Sequence, residues 1–93
     1  PPDLEKFPCL ALAFRAGKAG GAMPAVMNAA NEIAVEKYLE EEILLLDIPR
    51  VVAAVMDSAS LGPSTPSVDD LLAADREARI KTNHFIEEFK NGR

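Results

Sequence analysis

From Met23 to about Glu41 the chain reads MPAVMNAANEIAVEKYLEE, and wound as a helix it is apolar over most of its circumference. At about 100° per residue, Glu32, Glu36 and Glu40 gather on one side as a narrow wet stripe. Met27, Val35, Tyr38 and Leu39 form one apolar arc, and Val26, Ala30, Ile33 and Ala34 form a second. A helix with so little polar surface must be covered on several sides, so it is expected at the centre of a helical assembly. Asn28 and Asn31 lie in the first apolar arc, one turn apart. Asparagine is a poor choice for a helix interior because its amide competes with the backbone.

The neighbouring segments supply the cover. Pro8 can open a helix at its first turn, and Leu10, Ala13, Phe14 and Gly17 fall on one face of it. Gly20 and Gly21 close that helix, because glycine accepts the left-handed conformation of a helix end. A third helix opens at Asp47, read as its N-cap, with Ile48, Val51, Val52, Val55 and Met56 in amphipathic register. LGPSTPS, from Leu61 to Ser67, is a loop by its Gly, Pro and Ser content.

Ser67 caps the last helix with Asp70 three residues on, an acidic form of the capping box. Asp69 and Asp70 suit the positive end of that helix, and Lys90 suits the negative end. Its expected buried stripe is Leu71, Ala74, Ala78, Thr82, Phe85 and Phe89. No segment alternates as a strand does, and only ILLL (Ile43 to Leu46) is ambiguous. The fold expected is all-α, a compact four-helix bundle-like domain spanning 7–91. PPDLEK, residues 1–6, reads as a linker from an upstream part, and the absence of an initiator Met fits that reading.

Composition narrows the function. The 93 residues make one domain and bury only about 60–65% of the surface of the unfolded chain. A net charge of −5 gains nothing from phosphate counterion release, which argues against a nucleic-acid partner. No run approaches the ~20 apolar residues that cross a bilayer, and no signal-peptide pattern appears. Cys9 is the single cysteine and His84 the single histidine, so neither an internal disulfide nor a Cys/His zinc site can be assembled. Cys9 reads as a small buried apolar residue, and His84 as a rim or exposed residue.

No catalytic constellation is found. The run Glu40 to Glu42 is a solvated helix end whose adjacent carboxylates do not converge on a metal ion. Asp57-Ser58 suggests a phosphopantetheine attachment site, but Ala59 follows, and the serine lies near the end of a helix instead of opening one. No catalytic, cofactor-binding or metal-binding residue is assigned.

Four residues are candidates for a buried polar contact or for domain packing: Asn28, Asn31, Asp75 and Arg79. Asn31, flanked by Met27, Val35 and Tyr38, is expected to be buried. A buried amide without partners costs about 1–3 kcal/mol. Asp75 lies at the edge of the apolar face of the last helix, with Arg79 one turn later to pair with it. A polar contact between the Asp75 region and the two asparagines is therefore expected. It would either fix helix register or present amides to another domain.

Several of these segments together resemble a known family. FPCLALAFRAGKAGGAMPAVMNAANEIAVEKYL, from Phe7 to Leu39, is similar to the start of the C-terminal domain of 1-deoxy-D-xylulose 5-phosphate reductoisomerases. The features are an aromatic-Pro-Cys-Leu opening, a Gly-Gly turn and Asn-Ala-Ala-Asn-Glu on a helix. DIPRVVAAVM (Asp47 to Met56) resembles the next helix, and SVDDLLAADREAR (Ser67 to Arg79) the closing segment. Leu45 stands where the family often has an aromatic residue, and Ile80 to Arg93 carries no family signature.

The resemblance implies a larger homodimeric parent that uses NADPH and a divalent metal ion (Mg, Mn or Co). That parent converts 1-deoxy-D-xylulose 5-phosphate to 2-C-methyl-D-erythritol 4-phosphate on the way to isoprenoids. It implies a cytoplasmic or plastid-type location and a partner in the catalytic domain of the same chain. None of the family's catalytic, metal or NADPH residues maps here, so the segment itself is expected to hold no cofactor and to be structural. Composition alone also fits a free-standing acidic helical adaptor that binds a partner helix in a groove.

Overall fold

The computed structural model describes residues 8–60 and 62–92. The linker reading of residues 1–6 falls outside them. Four helices follow in order: α1 (Pro8–Ala19), α2 (Met23–Leu39), α3 (Asp47–Ser58) and α4 (Val68–Asn91). No strand occurs among the described residues, and none of their helices is long and apolar enough to cross a membrane. The molecule measures 38 × 34 × 19 Å, and its short dimension is about two helix diameters.

α2 is central, as its all-round apolar surface demands, and packs on α1, α3 and α4. Ala29, Ala30 and Ala34 are fully buried on it, so the neighbouring helices come close to its backbone. α3 buries Ile48, Val51, Val52, Val55 and Met56, the register read from the sequence. α4 contributes Ala78, Thr82 and Ile86 to the core, with Ala74, Phe85 and Phe89 packed against it. Ile86 was absent from the expected stripe, because it sits at the flank of that stripe on the helical wheel.

α1 differs from the simple expectation. Its buried residues are Leu12 and Ala16, while the face carrying Leu10, Ala13, Phe14 and Gly17 points outward. Phe14 is 52% exposed. Cys9, expected inside, is exposed along with Pro8 and Leu10. The first turn of α1 precedes Leu12, the first of its residues to reach the core.

The helix ends follow local chemistry. Gly20 and Gly21 both adopt positive φ (68° and 56°), and the Gly20 N–H donates to the Ala16 carbonyl at 3.1 Å. The end of α2 makes the same left-handed turn without glycine. Glu41 has φ 63°, its N–H donates to the Tyr38 carbonyl, and the Glu42 N–H donates to the Lys37 carbonyl, both at 2.9 Å. Those two bonds make a Schellman closure.

Ser67 and Asp70 form the reciprocal capping box. Ser67 Oγ accepts from the Asp70 N–H at 3.1 Å, and Asp70 Oδ2 accepts from the Ser67 N–H at 2.9 Å. The Ser67 N–H, with its hydroxyl, holds the Asp70 carboxyl below the usual carboxylate range.

Asp47 is not the N-cap of α3. Leu46 occupies that position with helical dihedrals, and Asp47 is the first helical residue, fully buried. Its Oδ2 accepts from the Leu44 N–H at 2.8 Å, while its own N–H donates to the Leu44 carbonyl at 3.0 Å. The ambiguous ILLL run is this turn. Ile43 is buried in the core, and Leu44, Leu45 and Leu46 are exposed.

Candidate functional site: a polar seam between α2 and α4

Of the four candidate residues, Asn28 and Asn31 stand on α2, and Asp75 and Arg79 on α4. The bundle buries the arc of Met23, Val26, Ala30 and Ala34. Asn31 lies on the flank of that arc and is half-buried, and Asn28 lies beyond it and is exposed. Neither amide is enclosed, so the expectation of a buried Asn31 is corrected. The two apolar arcs of α2 are unequal: one buries Val26, Ala30 and Ala34 in the core, and the other, which holds the asparagines, keeps Leu39 in solvent.

Arg79 joins the helices. Its Nε donates to Asp75 Oδ2 at 2.9 Å, and its Nη2 donates to Glu32 Oε2 on α2 at 3.0 Å. The Asp75–Arg79 pairing is therefore present. The partner it reaches on α2 is Glu32, next to Asn31 in sequence, and no hydrogen bond connects it to either amide. Asp75 first, and Glu32 second, raise the already high pKa of the Arg79 guanidinium. All three side chains are partly exposed, so the bridge adds little to the stability of the fold. From the sequence, Glu32 reads only as part of the wet stripe. The clue to its role was Arg79 itself, whose planar fork has a second edge to offer once Asp75 occupies the first.

A second cluster closes the far end. Lys90 Nζ lies 2.8 Å from Glu42 Oε1, and Lys37 Nζ lies 3.3 Å from Glu42 Oε2. Glu42 thus ties the C-terminal ends of α2 and α4 together, where the sequence suggested a solvated charge run. The left-handed Glu41 turns the chain so that Glu42 faces back. The Lys90 ammonium foremost, with Lys37 among the other causes, pushes the Glu42 carboxyl down to about 2 from 4.5. The Glu42 carboxylate in turn raises both lysines.

The sign of the pH effect follows. A carboxyl depressed on folding contributes stability that is complete above about pH 4.5 and fades as pH falls toward 2. Glu42→Gln is expected to lower the thermal midpoint at pH 6, with the gap to the parent chain closing as pH drops below 4.5. Melting curves read at a series of pH values check this. A gap that stays constant down to pH 2 would show that the charge of Glu42 is not responsible.

The remaining sequence candidates do not assemble into chemistry. His84 is 70% exposed, 3.3 Å from Glu88 one turn away, and stacks edge-on to Phe85. Ser58 closes α3 by donating to the Val55 carbonyl at 2.9 Å, which is the wrong end of a helix for a carrier serine. Among the described residues no group of three or more His, Cys, Asp or Glu side chains gathers as a metal site would. The seam offers a charge-compensated arginine, and the two amides stand outside its hydrogen bonds. Asparagine neither takes nor gives a proton near neutral pH, so this arrangement suits contact more than catalysis.

Known proteins resemble this chain closely. Residues 1–81 match the family model described as the DXP reductoisomerase C-terminal domain. A 1-deoxy-D-xylulose 5-phosphate reductoisomerase of Microcystis aeruginosa is 61% identical over 86 residues, which is 91% of this chain and 22% of that protein. The enzyme of the same name from Ralstonia nicotianae is 49% identical over 85 residues, 91% of this chain and 21% of its own length.

Among solved structures, the Zymomonas mobilis reductoisomerase in complex with NADPH superposes with a TM-score of 0.84 at 49% identity. The match covers 92% of this chain and 22% of that one. A DOX-P reductoisomerase in complex with magnesium gives 0.81 at 38% identity, covering 96% and 24%. The chain thus spans little more than a fifth of the relatives it matches. It belongs to the DXP reductoisomerase C-terminal domain family.

Proposed function

We propose that this chain is the C-terminal helical domain of an NADPH- and divalent-metal-dependent reductoisomerase. The whole enzyme would convert 1-deoxy-D-xylulose 5-phosphate to 2-C-methyl-D-erythritol 4-phosphate in isoprenoid biosynthesis. The observation that carries the reading is the family match over residues 1–81, strengthened by 61% identity to a relative of that name. In this reading residues 1–6 link to the catalytic part, and residues 7–91 form the domain. The parent is a homodimer located in the bacterial cytoplasm or a plastid-type organelle.

The part played by the domain is structural. Its described residues hold no cluster suited to a metal ion, and the sequence carries no nucleotide-binding loop. NADPH, metal and substrate belong to the preceding part of the polypeptide, and no reaction step is routed through these helices. Asn28 and Asn31 present their amides to a neighbouring domain from a helix whose register the Arg79 bridge to Asp75 and Glu32 maintains.

The test compares two proteins. The full-length polypeptide carrying this domain is expected to oxidise NADPH only with 1-deoxy-D-xylulose 5-phosphate and a divalent metal ion present. The 93 residues alone are expected to oxidise none. Turnover by the 93 residues would overturn the structural role, and no turnover by the full-length protein would overturn the enzyme assignment.

A further inference from the structure

We infer that the outward face of α1, carrying Leu10, Ala13, Phe14 and Gly17, is the surface on which the preceding part of the same polypeptide docks. This inference rests on the reading of the chain as the C-terminal domain of a longer enzyme and adds which face is used.

The face is built like one half of an interface. Its four residues stand at i, i+3, i+4 and i+7, a continuous apolar arc about 100° wide with no charge inside it. Leu10 is 38% exposed and Phe14 52%, so both keep a substantial part of their apolar surface in water. The bundle instead takes Leu12 and Ala16 from the other side of the helix. Ala13 and Gly17 leave the backbone accessible beside Phe14, and a Cβ placed on Gly17 would meet nothing within 4 Å. An incoming surface can therefore approach closely and enclose the ring. Large rings set beside small residues suit a packed interface centre.

The occupant follows from the chain. The relatives are more than four times longer than the matched segment, and the matched family is a C-terminal domain. The missing polypeptide therefore enters at the N-terminal end of the domain, where α1 begins. Covalent attachment beside this face gives the preceding part a high effective concentration there.

The exposed side of α4 is a poorer candidate. On the wheel Asp69, Arg76 and Glu87 all fall between its Leu72 and Ile80, a mixed surface suited to water.

The experiment is hydroxyl-radical footprinting of the full-length polypeptide, read residue by residue by mass spectrometry and corrected for intrinsic reactivity. Leu10 and Phe14 are expected to be modified at least about five-fold more slowly than Leu72 and Ile80, as befits a dry interface centre. Equal modification of all four, with protection at Leu39 or Leu44–Leu46 instead, would overturn the choice of face. It would leave the C-terminal-domain reading intact. Absence of protection at every exposed apolar residue would overturn both. Protection of α1 that disappears on dilution of the enzyme would place a second copy on this face and overturn the inference.

Discussion

Met56→Ala is expected to lower the unfolding free energy of the domain by about 2–5 kcal/mol. Met56 is among the largest fully buried side chains, on the face of α3 that lies against α2 and α4. Truncation removes three heavy atoms from contact and leaves a cavity that rigid helices fill only in part. A domain of 93 residues has a total stability of about 5–14 kcal/mol, so the loss takes a large share of it. The thermal midpoint should fall by at least about 10 °C.

Met56→Leu, which nearly conserves volume, is expected to cost less than about 1.5 kcal/mol. Urea titrations followed by circular dichroism measure both variants. Equal losses for Ala and Leu would mean that the site responds to the thioether or to shape, and the cavity argument would fail.

Asp47→Ala is expected to be the other severe substitution, at about 1–3 kcal/mol. The carboxylate is fully buried and accepts from the Leu44 N–H at 2.8 Å. Alanine leaves that N–H without this acceptor and removes a negative charge from the positive end of α3. The turn at residues 43–46 places Ile43 in the core, so its loosening should also expose that side chain.

Asp47→Asn keeps an acceptor oxygen for the Leu44 N–H but loses the charge and exchanges the other oxygen for an NH2 donor, so it should retain part of the stability. Denaturant midpoints of the three proteins separate the contributions. If Asn and Ala are equally damaging, charge dominates over the hydrogen bond. If both are harmless, the turn holds without Asp47.

Much of the architecture was legible because it is encoded within about four residues. The register of α3, the glycine closure of α1, the capping box of α4 and the Asp75–Arg79 pair all depend on neighbours along the chain. The central place of α2 was legible too, since a helix with one narrow polar stripe needs cover on several sides.

Tertiary structure decided what depends on partners distant in sequence. Periodicity shows that α1 has an apolar face at Leu10 and Phe14, but not whether the partner of that face lies inside the bundle. Here Leu12 and Ala16 meet the core, and the stronger stripe looks outward. Likewise α2 has two apolar arcs, and only the packing of the other helices around it selects the one that is buried, leaving Asn28 in water and Asn31 half covered.

Glu32 and Glu42 looked like solvated charges because Arg79 and Lys90, which reach them from α4, stand 47 and 48 residues away. Asp47 looked like a cap because an aspartate before an apolar run normally is one. The fold instead carries it one position into the helix, where its carboxylate fastens the preceding turn. Local sequence determined which segments are helices and where they end. Which faces they turn to one another was set by the packing of four helices at once, whose energy no single segment contains.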